Sequence, residues 1–298
     1  MRAILRPPPV EAQLGRWYPR GVRHRPALGL AAALAVLAVS AAPRPASTAD
    51  LPIFDAHIHY SAPDWTVHSS DEVVKILDRA GVKRALVSST PDEGTLKLYA
   101  RDPGRIVPEL RPYRTRADMA TWARDPAVLA YVEERLERGI YKGIGEFHLS
   151  AEDAQSPVMR RLVELAAERQ LILHSHSDAA AVQGLFATDP RVRVLWAHAG
   201  MTSGPEEIAP MLDRYPNLSV ELAIRTDMAP GGTLGPDWKA LFLRYPDRFS
   251  VGTDTWTTSR WSQLPAYLAG VRAWLAQLPP DVAEKIAFKN LERLLNLP

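Results

Sequence analysis

Between Asp50 and Pro298 the sequence alternates strand-like and helix-like stretches eight times, with no linker, low-complexity tract or charge block between them. That alternation is the strongest constraint on the fold. A strand can be followed by a parallel neighbour only if a crossover, usually a helix, carries the chain back. The strand-like runs are 51–59, 85–88, 106–110, 141–147, 171–173, 192–196, 218–222 and 249–252. Between them lie amphipathic stretches such as 157–169, with a proline at its start, where a missing N–H costs little. Ser69-Ser70-Asp71-Glu72 has the spacing of a capping box, and Gly81 closes the helix that follows. Eight such units in the 249 residues from Asp50 onward predict a single-domain (β/α)8 barrel, a fold of typically about 250 residues. A doubly wound open sheet alternates in the same way. It would more often place a glycine fingerprint after its first strand, where this chain has His57-Ile58-His59.

Residues 1–49 differ from the rest. An Arg- and Pro-rich flank leads into an Ala/Leu/Val run, 27–42, that ends in small residues. This order predicts a cleavable secretory signal, with Val39-Ser40-Ala41 or Ser47-Thr48-Ala49 at the cleavage site. An uncleaved membrane anchor is the alternative reading, although the run falls short of the about 20 residues of a comfortable span. Initiation at Val22 would shorten the basic flank to Val22-Arg23-His24-Arg25. The expected product is therefore a secreted or periplasmic domain, 50–298.

The leader also dominates the charge. The whole chain has 36 basic and 34 acidic side chains, a net +2. Removing the seven Arg and one Glu of residues 1–49 leaves 29 against 33, a net −4. Such a domain carries no electrostatic footprint for nucleic acid. The chain has no cysteine, so disulfides and thiolate metal sites are excluded.

In a (β/α)8 barrel the C-terminal ends of all eight strands face one mouth. The first strand brings His57 and His59 there, two residues apart and so on one face of a strand. The fourth brings Glu146, the fifth His174 and His176, the sixth His198, and the last Asp254. Singly, each has an ordinary structural reading. A histidine at a strand end is commonly a hydrogen-bonded surface group, and Glu146 could pair with Lys142 on the same side of its strand. Together they are imidazoles and carboxylates without sulfur, a set that needs a compensating cation in a dry pocket and suits Zn²⁺, Mn²⁺, Fe²⁺ or Ni²⁺. Arg111 and Arg225, after the third and seventh strands, stand where they could hold an anionic substrate group. Trp256, Arg260 and Trp261 follow the eighth strand, where an aromatic side chain could line the pocket.

Phe54-Asp55-Ala56-His57-Ile58-His59, Leu173-His174, Trp196-Ala197-His198-Ala199-Gly200 and Gly252-Thr253-Asp254 together resemble the amidohydrolase superfamily of metal-dependent (β/α)8 enzymes, most closely its amidohydrolase-2 branch. The tail 285–295 resembles that branch's closing helix. The resemblance implies a metal site of His57, His59, His174, His198 and Asp254, with Asp254 and His198 at the chemical step and Asp254 as proton shuttle. Many binuclear relatives carry a carboxylated lysine on strand four. Here Gly145-Glu146 is similar instead to the Gly-Glu of TatD-like nucleases, which implies that Glu146 bridges two ions or ligates one. His176 is assigned to substrate or to the surroundings of the ligands.

The function expected is hydrolysis of an ester, lactone, amide or phosphoester of a small molecule, with one or two divalent ions, zinc first. The alternatives are a decarboxylase or C–C hydrolase of the same branch, and a periplasmic binder without turnover. Assembly of several copies is left open.

Overall fold

A computed structural model describes residues 50–298; the expected signal, its cleavage sites and the charge-bearing leader lie outside the described residues. Eight strands pair in parallel in sequence order, β1 (Ile53–Ile58), β2 (Val82–Val87), β3 (Ile106–Leu110), β4 (Gly143–Leu149), β5 (Ile172–Ser177), β6 (Arg193–Trp196), β7 (Leu218–Glu221) and β8 (Phe249–Ser250). The first and last strands draw together through the Ala56 N–H, which donates to Val251 O at 2.9 Å, and the Asp254 N–H, which donates to His57 O at 2.7 Å. The result is a nearly closed barrel with helices outside.

Those helices are α1 (Ser70–Ala80), α2 (Glu93–Arg101), α3 (Pro126–Leu136), α4 (Pro157–Arg169), α5 (Ala179–Thr188), α6 (Pro205–Arg214), α7 (Pro236–Arg244) and α8 (Ser259–Leu275). A closing segment follows, α9 (Pro280–Glu284) and α10 (Asn290–Leu294), joined by a π turn. Among the described residues no helix is long and apolar enough to cross a membrane. Local chemistry explains the helix starts. Ser69 accepts from Glu72 N, Ser156 from Met159 N and Asp178 from Ala181 N, each filling an orphan donor of a first turn. Helix α3 begins at Pro126, five residues before the clearest periodicity, because Asp125 caps it and Pro126 takes the first helical position.

Two apolar clusters hold the barrel. The larger fills the space between strands and helices. The smaller joins Phe54, Ala56, Leu86, Val107, Ile172 and Leu195 to Leu291 and Leu295 of the closing segment. Ile172 has the strand parity of His174 and His176, so this second cluster is the floor of the lumen and α10 is its plug. Asn290 fastens the plug, donating to Pro246 O and Phe249 O at 2.9 Å each.

Two departures from regular pairing aim the lumen side chains. The β1–β2 register shifts between Asp55 and Ile58, which lets His57 and His59 turn inward above Phe54 and Ala56. The β4–β5 register shifts between Gly145 and Phe147, so Glu146 is the extra residue of a bulge. Bulges of this kind redirect a side chain. Glycine is required at Gly145: its φ is +148°, and a Cβ there would sit 2.5 Å from His174 O and 2.6 Å from His174 Cβ.

Candidate metal centre

Four histidines converge at the C-terminal mouth, each with one ring nitrogen tied down. The Nδ1–H of His59 donates to Ser88 O at 2.5 Å and that of His198 to Ala223 O at 3.2 Å. Carbonyl oxygens only accept, so Nδ1 of each carries a proton and Nε2 is the nitrogen left to face the lumen. His57 Nδ1 lies 3.1 Å from Glu221 Oε2, and His174 Nδ1 lies 3.2 Å from Glu109 Oε2. An acceptor on the far nitrogen fixes ring orientation and tautomer and makes the near nitrogen a better donor to a cation.

The free nitrogens meet two carboxylates. His57 Nε2 and His59 Nε2 are 3.1 Å apart. Glu146 Oε2 lies 3.6 Å from the first and 3.3 Å from the second, and Asp254 Oδ1 lies 3.6 and 3.4 Å from them. Ligands sharing one zinc at about 2.1 Å stand about 3 to 3.5 Å apart, so these spacings fit a common cation. Glu146 turns its other oxygen, Oε1, toward a second group, His198 Nε2 at 3.5 Å and His176 Nδ1 at 2.8 Å. The decisive observation is what lacks a partner. Among the described residues, His174 Nε2 and Asp254 Oδ1 are buried and make no hydrogen bond. Buried polar atoms are rarely left so, and an ion satisfies both.

Electrostatics point the same way. Burial opposes charge on Glu146, but His57 and hydrogen bonds from His176 and His198 hold its carboxyl well below the usual range. Burial likewise pushes His57 down, and the carboxylates of Asp254 and Glu146 outweigh it and raise it well above the ordinary imidazole value. Burial acts against Glu221 too, yet contacts with His57 bring it down to about 2. Negative charge is thus concentrated on the lumen axis, where a proton or a cation must answer it.

The remaining expected residues divide. His176 reaches the cluster through Glu146 and is partly exposed. Arg111 is buried, donating from Nε to Glu146 O at 2.9 Å and from Nη2 to Glu146 Oε2 at 2.7 Å. The ion-pair partner of Glu146 is therefore Arg111, not Lys142. Trp256 stands at the rim, 61% exposed. Arg260 reaches back to the carbonyls of Thr253 and Asp254. Trp261 is fully buried in the outer core.

Arg225 departs from its expected place as a substrate contact. All five of its N–H groups are engaged within the chain. Nη1 donates to His198 O at 3.2 Å and Ala199 O at 3.1 Å, Nη2 to Ser203 O at 2.9 Å and Asp227 Oδ2 at 2.8 Å, and Nε to Asp227 Oδ1 at 2.8 Å. The reason lies in the backbone it holds. His198, Ala199, Gly200 and Met201 have φ of 54°, 48°, 70° and 64°, four consecutive positive-φ residues. Each such non-glycine residue costs about 1–3 kcal/mol unless the surroundings impose it. Arg225 imposes this turn and so sets the direction of His198. Arg225→Gln is expected to weaken metal binding about 10- to 100-fold, as loss of a residue orienting a ligand does. Arg225→Lys, a point charge without the fork, should not restore it. Chelator competition measures the affinity; a wild-type value in Arg225→Gln would remove this role.

Sequence reasoning does not reach Glu109, Glu221 or His148. The two glutamates are each a lone charge inside an apolar strand, buried to 1% and 0% exposure. A charge so placed needs a partner, and that was the available signal. His148 lies two residues beyond Glu146, stacks on His176 at 4.2 Å between ring centroids and is brought down to about 4 by burial.

The family model described as Amidohydrolase matches residues 54–297. No curated protein matches the sequence. Among solved structures the chain is similar to a candidate 2-pyrone-4,6-dicarboxylic acid hydrolase from Pseudomonas putida, at 14% identity and TM-score 0.60, covering 83% of this chain and 98% of that one. It is similar to an amidohydrolase from Burkholderia multivorans with bound zinc, at 14% identity and TM-score 0.55, covering 83% and 100%. A TatD homolog from Escherichia coli aligns at 17% identity and TM-score 0.57, covering 84% and 100%. At these identities the structural likeness speaks for the fold.

Proposed function

The chain belongs to the amidohydrolase family, and from that premise we propose that it hydrolyses an ester, lactone, amide or phosphoester bond of a small molecule with one or two divalent cations. The observation that carries the reading is a pair of buried atoms that make no hydrogen bond among the described residues, His174 Nε2 and Asp254 Oδ1, inside a ring of oriented imidazoles. His57, His59, Glu146 and Asp254 would hold one ion. Glu146 through its other oxygen, with His198 and either His174 or His176, would hold a second. Zinc is the first candidate, because the donors are nitrogen and oxygen and the similar Burkholderia protein carries it.

A divalent cation in such a site acidifies water to a pKa of about 7 and polarises the bond to be cut. The protein's own part is proton transfer and orientation. Asp254, at the rim of the lumen, accepts the proton of the attacking water and returns it to the leaving group. His198, directed by the Arg225-held turn, faces the same space. Among the described residues Arg111 Nη1 makes no hydrogen bond beside Glu146, which supports an anionic group on the substrate. Glu146, turned toward both donor groups, favours hydrolysis over decarboxylation, for which the branch's mononuclear members generally do without a strand-four carboxylate. Export is part of the proposal, supported by the leader-like composition of residues 1–49.

A screen of esters, lactones, amides and phosphoesters, run with and without chelator, tests the reading. The expected result is hydrolysis of at least one class that chelator stops and added Zn²⁺ restores. Release of CO₂ from an aromatic or unsaturated acid, with no hydrolysis, would replace it with the decarboxylase reading.

A further inference from the structure

At the opposite end of the barrel, where β6, β7 and β8 begin, lies a cavity of about 520 Å³ lined by Arg193, Arg248, Arg293, Asn217, Asn296 and Asp247 among others. A second cavity of about 430 Å³ shares Arg193 and Asn296 with it, so the two form one groove; Arg191, on the wall of the second, is already paired with Asp189 at 2.6 Å. Residues 50–298 are acidic overall, net −4, which makes this concentration of guanidinium groups unusual for them.

Among the described residues neither Arg193 nor Arg248 forms an ion pair with a carboxylate, and Asp247 acts on Arg248 only from a distance. Arg193 donates only to backbone carbonyls, those of Leu294 at 2.6 Å and Gln170. Arg248 donates from Nε to Leu218 O at 2.7 Å and from Nη2 to Tyr215 O at 2.6 Å. Among the described residues each therefore keeps three of its five N–H groups unengaged, including both on Arg248 Nη1. Burial lowers both groups from the ordinary arginine value, and the nearby Arg293 adds to the effect on Arg248. The acid on the cavity wall, Asp247, is already answered by Lys285 at 3.2 Å and Arg293 at 3.3 Å. Half-buried cations lining a cavity of ligand size, and forming no ion pair among the described residues, are what a doubly charged anion pairs with.

We propose that this groove is a binding site for a small dianion, a phosphate group or a dicarboxylate, separate from the metal centre. The two sources share one chemistry, oxygen atoms bearing two negative charges that accept from guanidinium forks. Bound there, the anion ties the starts of β6 and β8 to α10, the plug of the barrel floor, because Arg193 is already fastened to Leu294 O and Arg293 to Asn290 Oδ1.

The test is titration calorimetry on the full chain, treated with chelator so that the metal centre does not hold the anion. Inorganic phosphate, succinate and acetate are compared at constant ionic strength. Saturable one-site binding of phosphate or of succinate supports the proposal, and whichever binds identifies the source. Arg193→Gln and Arg248→Gln should each lower that affinity at least about tenfold, the scale of one lost hydrogen-bonded charge. His57→Ala should bind as wild type does. Arg193→Lys and Arg248→Lys, which keep the charge, serve if the glutamine variants do not fold and should show intermediate affinity. No binding, equal binding of acetate, or wild-type affinity in the arginine variants would overturn it.

Discussion

Asp254→Asn is expected to lower kcat by about 10²–10⁴-fold, the range that general acid–base groups contribute, while the fold stays intact. The backbone at Asp254 explains why the fold survives. Its φ is 54°, a left-handed conformation that asparagine adopts as readily as aspartate. Its N–H donates to His57 O, and its carbonyl accepts from Arg260 Nε, so the residue is placed by main-chain bonds that the substitution leaves alone. The side chain loses a negative charge and the ability to accept a proton. Measuring kcat under saturating Zn²⁺, with metal content alongside, separates weak loading from lost chemistry. A fully loaded Asp254→Asn protein turning over near the wild-type rate would exclude Asp254 as the shuttle.

The second large effect is on stability. Glu146→Leu should destabilise the metal-free protein by about 3–5 kcal/mol, because it leaves a buried charge alone. Arg111 is 7% exposed and Glu146 2%, and Arg111 directs Nε and Nη2 at this one residue. No other carboxylate among the described residues pairs with Arg111, whose guanidinium otherwise faces only the Tyr113 ring at 5.0 Å. The paired change Arg111→Leu with Glu146→Leu should recover much of the loss, since an apolar pair of similar volume can replace a buried ion pair at little cost. It should not recover metal binding, because Glu146 supplies an oxygen to both donor groups. Urea denaturation of the two single variants and the double variant reads the coupling directly. Additive effects would mean that Arg111 and Glu146 do not depend on each other.

The sequence already carries the barrel and the ring of donors, because both follow from where each strand ends. Strand ends are marked by a change from apolar residues to histidine or carboxylate, and the barrel sends all such ends to one mouth. Lengths are less legible. Strand β5 runs on to Ser177, past the apolar run 171–173, so His174 and His176 lie within the strand and not beyond it. Strand β8 is only Phe249–Ser250, since the chain then bends to present Asp254. The supports of the donors are the least visible. Arg225 holds carbonyls 22 to 27 residues away, and His57 leans on Glu221 across 164 residues. Neither contact has a local spacing to betray it. Periodicity finds faces, and it does not find partners across the lumen.

If side chains from five strand ends gather around a cation, the metal content of the protein should show it. The full chain, stripped with chelator and equilibrated with Zn²⁺, should retain at least one ion per molecule after dialysis, and His57→Ala and Asp254→Ala should retain less. A wild-type chain that holds no more zinc than His57→Ala would contradict the account.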